Sequence, residues 1–371
     1  MKVEYLSNKI ESYRITDDKN RYICFVENSV HKFNLNLDWK LVGLISQIDR
    51  FDASWASIEK KEGQSLKQLK SIATVRSVGA STRIEGSRMS DEEVEVLLKQ
   101  IDITKLSDRD SQEVVGYFEA LDIIIESFES IDIKESSIKN LHNILMKYSK
   151  KDEWHKGDYK QHKNTVEASY PDGTKQIIFQ TTEAGIPTQD AMQALIDWYK
   201  KDKTTHPLVK SALFAYEFVS IHPFQDGNGR LSRLLSTLLL LKNGYKWIQY
   251  VSLEHEIENR KSEYYRVLRS CQAQRPNENV NDWVNFFFDA LKNIQNQLLN
   301  KLKQSGIETQ LSPREKSIIT FIGNNPGCKS GDIAKKLDMP SPTVKRILPE
   351  LINKNLIEKH GSGPGTNYSL R

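Results

Sequence analysis

Within twelve consecutive residues, 222–233, lie a histidine, an aspartate, two glycines flanking an asparagine, and two arginines three apart. The segment is His222-Pro223-Phe224-Gln225-Asp226-Gly227-Asn228-Gly229-Arg230-Leu231-Ser232-Arg233. Gly227 and Gly229 permit tight or positive-φ backbone and leave room for a ligand to approach. Successive N–H groups there form a nest for a phosphate. A mostly apolar run over 234–241 follows, so the loop is predicted to open a buried helix whose N-terminus favours negative charge. Asn228 either bonds a phosphate oxygen or holds the loop. Arg230 and Arg233, at i and i+3, can present both guanidiniums on one face and clamp two phosphates. A carboxylate at Asp226 would be repelled by phosphates unless a Mg²⁺ lay between them, which is how that hard cation is usually held. His222 is placed to take a proton from an incoming hydroxyl near neutral pH. The spacings of a Walker loop and of a His-Glu-x-x-His zinc helix are both missing.

The elements that must position this segment read as helical almost throughout. Leu41, Val42, Leu44, Ile45 and Ile48 form one amphipathic stripe, and 66–84 forms a second helix. Ser90-Asp91-Glu92-Glu93 is a capping box that starts a third. Further helices are expected over 111–128, 134–147, 189–199, 208–221, 262–271 and 281–303. One interval departs from this pattern. β-branched and aromatic residues at 165–170 and 174–179 flank Pro171-Asp172-Gly173, which predicts a β-hairpin. Such a hairpin is marginal unless packed on something, so it is a surface decoration or a flap over a site. A boundary is expected at 303–311, where Gln304-Ser305-Gly306 interrupts a long polar helix. Three regions result: a helical N-terminal region 1–89, a core 90–303, and a compact unit 304–371.

Composition narrows the functional classes. The 371 residues are 38% hydrophobic and 27% charged, as in soluble globular proteins, and the length suits two or three domains. A net charge of +4 does not by itself argue for nucleic acid. The surplus is local, however: from Leu311 onward ten Lys/Arg face five Asp/Glu, while the rest has 43 against 44. Cys24, Cys271 and Cys328 are far apart and suit a reducing compartment. With no signal-like start and no membrane-length apolar run, the expectation is a cytoplasmic protein without a membrane partner.

The twelve-residue segment resembles the signature of the Fic family, His-Pro-Phe-x-Asp/Glu-Gly-Asn-Gly-Arg-x-x-Arg, and fills every fixed position of it. The resemblance extends from about Ser81 to Ile294, with the hairpin in the place of the family's target-docking flap. It implies an all-α Fic fold with a small β-hairpin flap. The implied reaction is AMP transfer from ATP to a Ser, Thr or Tyr hydroxyl of a target protein, and of the enzyme itself. By that resemblance His222 is the general base and Asp226 the Mg²⁺ ligand. The turn Gly227, Asn228, Gly229, Arg230, Leu231, Ser232 and Arg233 holds ATP, with Arg233 on the γ-phosphate. Tyr264 and Tyr265 stand where relatives place a nucleotide-facing tyrosine, or are core aromatics. Gln272 replaces the Asn that relatives often carry. Ile178, Phe179, Gln180 and Thr181 would border nucleotide and target.

Ser81-Thr82-Arg83-Ile84-Glu85-Gly86 is similar to the family's inhibitory motif, Ser/Thr-x-x-x-Glu-Gly/Asn. Ser81 and Glu85 lie one turn apart, and Gly86 suits a helix end. The resemblance implies that Glu85 pairs with Arg233 and occupies the γ-phosphate's place. Some relatives also remove AMP with the same glutamate, and members often form dimers.

Beyond residue 311, helices over 313–324, 330–337 and 341–355 precede two strands around Gly361-Ser362-Gly363-Pro364-Gly365, which together look like a winged helix-turn-helix. Asp338-Met339-Pro340 is its turn. Thr343, Lys345 and Arg346 lie on the exposed side of the recognition helix, which suits DNA, although winged helices also dock proteins. Two classes of function therefore stand: an autoinhibited Mg²⁺-dependent adenylyltransferase, and a DNA-binding regulator whose core senses ATP.

Overall fold

A computed structural model describes residues 33–169, 175–354 and 356–371, together with the three strands of the N-terminal segment. Those strands, β1 (Val3–Tyr5), β2 (Ser12–Thr16) and β3 (Tyr22–Val26), form an antiparallel meander in which Tyr5 faces Tyr13 and Ser12 faces Val26. The reading of 1–89 as a helical region did not place these strands. The sequence signal was the density of strand formers at 12–16 and 22–26 around the turn-forming run Asp17-Asp18-Lys19-Asn20.

Helices then dominate. α1 (Trp39–Lys61) is capped by Asp38, whose carboxylate accepts from the Leu41 amide. α2 (Gly63–Ile84) ends in a Schellman turn: Gly86, at φ 107°, donates to Arg83 O and Ser87 donates to Thr82 O. α3 (Asp91–Lys99) starts at the expected capping box of Ser90 and Glu93. α4 (Arg109–Ser127) and α5 (Glu135–Leu145) follow. β4 (Thr165–Ser169) and β5 (Lys175–Gln180) make the expected hairpin, with a bulge at Val166/Glu167. Its proposed turn at Pro171-Asp172-Gly173 lies outside the described residues.

Pro at the first turn starts both α6 (Ile186–Lys201) and α7 (Pro207–Ile221). α8 (Asn228–Lys242), α9 (Leu253–Asn259), α10 (Lys261–Gln272) and α11 (Asn281–Gln310) complete the helices before the C-terminal unit. Apolar positions occur all round α7 and α8 rather than in one stripe. Both are accordingly buried along nearly their whole lengths, and they pack on each other at the centre of the first compact unit, 1–298. α2 and α4 pack on this pair, bringing the end of α2 to the start of α8.

α11 runs on through Gln304-Ser305-Gly306, where an interruption was expected. One helical glycine costs only about 1 kcal/mol against alanine, too little to end a helix of thirty residues. The helix ends instead at Gln310, and Ser312 and Glu315 then form the capping box of α12 (Pro313–Asn324).

The second compact unit, 299–371, contains α12, α13 (Ser330–Lys336) and α14 (Ser341–Asn353), then strands β6 (Ile357–His360) and β7 (Asn367–Leu370) paired antiparallel. Ile318, Ile322, Ile333, Val344, Ile347, Leu348 and Leu351 form its core. Asp338 adopts φ 49° in the turn between α13 and α14, as a short polar residue readily does. The unit is a winged helix. No described helix is long and apolar enough to cross a membrane.

One glycine governs how α4 meets α5. A Cβ on Gly116 would collide with the backbone carbonyl oxygen of Leu145. A backbone carbonyl cannot rotate away as a side chain can, so Gly116→Ala should destabilise the first unit by roughly 1–3 kcal/mol. Thermal unfolding of the full chain tests this; an unchanged melting temperature would refute it.

Candidate active site

His222 terminates α7 in a left-handed conformation, φ 55° and ψ 59°, uncommon for any residue except glycine. That twist turns the chain out of the helix and into the loop. Nδ1 lies 3.2 Å from the Val219 carbonyl, to which it can only donate. The tautomer so fixed leaves Nε2 with a lone pair. Burial pushes the His222 pKa down to about 4, and the nearby Lys160 ammonium acts in the same direction. The ring is therefore neutral across physiological pH.

The loop is held rigidly by groups around it. The Asn228 side chain closes two hydrogen bonds with the backbone of Phe224, accepting from its N–H at 2.8 Å and donating to its carbonyl at 2.8 Å. Of the two roles open to Asn228 from sequence, it takes the structural one. His142, on α5, accepts from the Gly157 amide at Nδ1 and donates from Nε2 to the Asp226 carbonyl at 3.0 Å. Its ring stacks on Phe224 with 3.8 Å between centroids, and burial holds its pKa down at about 4. Nothing in the sequence singles out His142, because its partners lie 15 and 84 residues away.

Gly227, at φ 78°, is the N-cap of α8. The first intrahelical bond runs from the Leu231 amide to the Gly227 carbonyl, so the amides of Asn228, Gly229 and Arg230 precede the hydrogen-bonded ladder. These three amides and the helix dipole form the anion nest. Leu231 and Ser232, expected in the nucleotide site, are both buried. Leu231 is fully buried and its amide is spent in the helix. The Ser232 hydroxyl donates to Ala215 O. Helical geometry puts Leu231 opposite Gly229 and Arg233.

The two arginines are held differently. Arg230 is 1% exposed, with Nη1 3.2 Å from Glu113 of α4 and Nη2 3.4 Å from Asp226. Its Nε and Nη1 make no hydrogen bond among the described residues. Burial raises the Asp226 pKa, but Arg230 and the Gly227 amide more than offset this and hold the carboxyl ionised. Glu113, which also takes Arg109 at 2.7 Å, is a site residue the sequence reading missed.

Arg233 donates from Nε to Ser81 Oγ at 2.8 Å, and from Nη2 to both Ser81 O at 3.0 Å and Glu85 Oε1 at 2.8 Å. Burial works against the Glu85 charge, yet Arg233 and then Arg230 outweigh it and lower its pKa. The Glu85 carboxylate lies directly against Gly229, where any Cβ would collide with Oε1. It thus sits at the mouth of the anion nest.

The end of α2 is fastened on its other side as well. Arg83 forms a bidentate pair with Glu258 of α9 at 2.7 and 3.0 Å, and reaches Met89 O and Asp91. Lys261 donates to Ile84 O at 2.7 Å. Gly79 leaves room for this cluster, since a Cβ there would fall 2.6 Å from Arg83 Nη1 and 2.7 Å from Asp91.

Tyr264 is buried in an aromatic cluster with Tyr265, Trp283 and Phe286, and it adjoins Arg233. Tyr265 is half-buried, with Arg269 over its ring. Gln272 donates to Ser220 Oγ of α7 at 3.0 Å. Thr181, expected to border the ligands, is instead buried with its hydroxyl engaged by Lys160 and Asn164. The side chain of Ile178 lies outside the described residues. Among the described residues, no cluster of three or more metal-binding side chains occurs.

A model of the Fic/DOC family matches residues 132–240 and one of the MarR family matches 309–365; the chain carries both domains. Its curated relatives include the protein adenylyltransferase Fic of Drosophila melanogaster, 26% identical over 229 residues. That match covers 61% of this chain and 42% of the relative, so the chain spans less than half of the relative's length. The counterpart in Drosophila yakuba is 27% identical over 205 residues, covering 54% of this chain and 39% of the relative.

Among solved structures, a Fic family protein from Desulfovibrio desulfuricans G20 is 24% identical, with TM-score 0.61 over 92% of this chain and 98% of that one. Fic-1 from C. elegans is 21% identical, with TM-score 0.54 over 71% and 76%. These likenesses establish the fold.

The two depressed histidines predict an acid-labile domain. As pH falls through 6.5, the unfolded chain binds protons that folded His142 and His222 refuse, so stability drops between about pH 6.5 and 4. The His142 contribution should amount to roughly 1.5 kcal/mol between pH 6.5 and 5. Denaturant midpoints in that window should fall less steeply in His142→Gln than in the wild type; parallel slopes would refute the assignment.

Proposed function

We propose that the Fic unit is a protein adenylyltransferase held in check by Glu85. The observation that carries this reading is the nest of three amides at the start of α8, flanked by a neutral His222 and by Arg233. In the reaction, a Ser, Thr or Tyr hydroxyl of the target gives its proton to His222 Nε2. Its oxygen bonds to the α-phosphorus of ATP, and the bond from that phosphorus to the β-phosphate bridging oxygen breaks, releasing pyrophosphate. Such transfer demands positioning and charge stabilisation more than covalent participation by the protein. The nest amides and Arg230, whose Nε makes no hydrogen bond among the described residues, suit the α- and β-phosphates, and Arg233 suits the γ-phosphate.

A Mg²⁺ fits Asp226, whose half-exposed carboxylate stays ionised and stands alone, since Mg²⁺ is typically bound by one or two carboxylates plus phosphates. The ion supplies neutralisation of phosphate charge when bound. The β4–β5 hairpin is the surface for the target protein. The relatives named adenylyltransferases support the same chemistry. Removal of AMP by the same site is the runner-up within this class.

Glu85 is the brake on this site. Its carboxylate takes the Arg233 donor that a γ-phosphate needs and crowds Gly229 at the nest. A separate reading concerns the winged helix, which carries exposed Lys345 and Arg346 on α14 and matches the MarR family. We assign it to DNA, with the Fic unit as its ATP-responsive partner.

With labelled ATP and cell lysate, Glu85→Gly should raise modification of the chain and its targets above wild type; equal labelling under saturating Mg-ATP refutes the brake. Adding His222→Ala to that variant should lower labelling by about 10²–10⁴ while nucleotide binding persists. Undiminished labelling would exclude His222 as the base. Retention of the chain on DNA should fall steeply with salt, and salt-independent retention would count against DNA.

A further inference from the structure

The reaction outlined above makes no use of a buried ammonium, that of Lys160. Lys160 is 1% exposed, and among the described residues no carboxylate pairs with it. Lysine is almost never fully buried without a partner, because its ammonium loses hydration that must be replaced. Here three neutral oxygens replace it. Nζ donates to Asn164 Oδ1 at 2.9 Å, to Thr181 Oγ1 at 2.9 Å and to Ile221 O at 3.2 Å.

The origins of those oxygens give the ammonium its meaning. Asn164 immediately precedes β4 and Thr181 immediately follows β5, so they are the two feet of the hairpin. Thr181 Oγ1 also lies 2.6 Å from Asn164 Oδ1 and 2.8 Å from Asn164 O, which ties the feet together. Ile221 is the last residue of α7, immediately before His222. Two further bonds join the same pieces. The Lys160 amide donates to Pro223 O at 2.8 Å, and Asn164 Nδ2 donates to Phe224 O at 2.8 Å. Backbone carbonyls at 221, 223 and 224, on both sides of His222, are thereby held by the residues that hold the hairpin.

We propose that Lys160 is a positioning residue that fixes the hairpin to the backbone carrying His222, and so sets where a target hydroxyl meets the base. The proposal rests on the reading of His222 as base and of the hairpin as target surface. An ammonium suits the task because its three N–H groups are tetrahedrally disposed and bind three oxygens from three separate segments at once. A methylene chain of the same length would leave all three oxygens without this donor. The anion nest at the start of α8 makes no bond to Lys160, so nucleotide and target contributions are separable.

The test uses the full chain in the Glu85→Gly background, with Lys160→Met and, as a milder change, Thr181→Val. Backbone amide exchange of β4 and β5 should quicken at least tenfold in Lys160→Met and by a smaller factor in Thr181→Val. The KM for a protein target should rise at least tenfold and kcat should fall, while the calorimetric Kd for Mg-ATP stays within twofold. Unchanged hairpin exchange in both variants would overturn the proposal, as would a loss of ATP affinity equal to the loss for target. If Lys160→Met does not fold, Thr181→Val decides alone: hairpin exchange and target KM equal to the Glu85→Gly parent would overturn it. If no variant labels any protein, including the Glu85→Gly parent, the transfer reading fails, and the exchange data still judge the role of Lys160.

Discussion

A guanidinium inside the protein must find partners for its donors, and Arg233 sets that requirement at the centre of this fold. It lies on α8, the most thoroughly buried helix with α7, and is itself 3% exposed. An unpaired charge there would cost several kcal/mol. The partners come from 148 and 152 residues earlier, at the end of α2. The need to satisfy one side chain therefore fixes where an entire helix must end. The Schellman turn at Gly86, the glycine at 79 and the Arg83–Glu258 pair all serve to end it there. A carboxylate at a helix C-terminus opposes the helix dipole, and Glu85 is tolerated because Arg233 faces it.

A second constraint is that the loop between α7 and α8 is held by the side chains around it. Histidine is used twice for this, in opposite hydrogen-bonding arrangements. His142 accepts at Nδ1 and donates at Nε2, so both of its nitrogens are spent on the scaffold. His222 spends only Nδ1, and the nitrogen with the lone pair is left over. Burial keeps both rings neutral, but only one has a nitrogen with which to do chemistry. That difference between two rings of similar pKa separates a structural histidine from a candidate base more sharply than acidity does.

The helices and the twelve-residue site were legible because their signals are local. Capping at Ser90, the helix stop at Gly86, and the loop that opens α8 each depend on residues within one or two turns. His142, Glu113 and Lys160 were not legible, since each acts across a gap that only the fold closes. Leu231 illustrates a different limit. A motif read as a string includes every residue between its fixed positions, whereas a helix shows only some of them to the ligand. The N-terminal meander and the uninterrupted α11 were misread for a further reason. A strong helical pattern elsewhere overrode short strand segments, and a single glycine was given more weight than its energy warrants.

The geometry at Arg233 bears on how a brake of the kind proposed releases. Of the three hydrogen bonds that the guanidinium donates, two go to Ser81 and one to Glu85. Withdrawal of the carboxylate therefore exchanges one bond and leaves the arginine aimed. A phosphate oxygen arriving in its place inherits an oriented donor and meets the same positive nest. The two anions cannot share the space, because the Glu85 carboxylate already fills the gap left by the missing side chain of Gly229. On the proposal made above, inhibition would be competitive at the atomic level and would need no second conformation of α8. What sets its strength is how firmly the end of α2 is fastened, and that fastening lies in Arg83, Glu258, Asp91 and Lys261, none of which lines the nest.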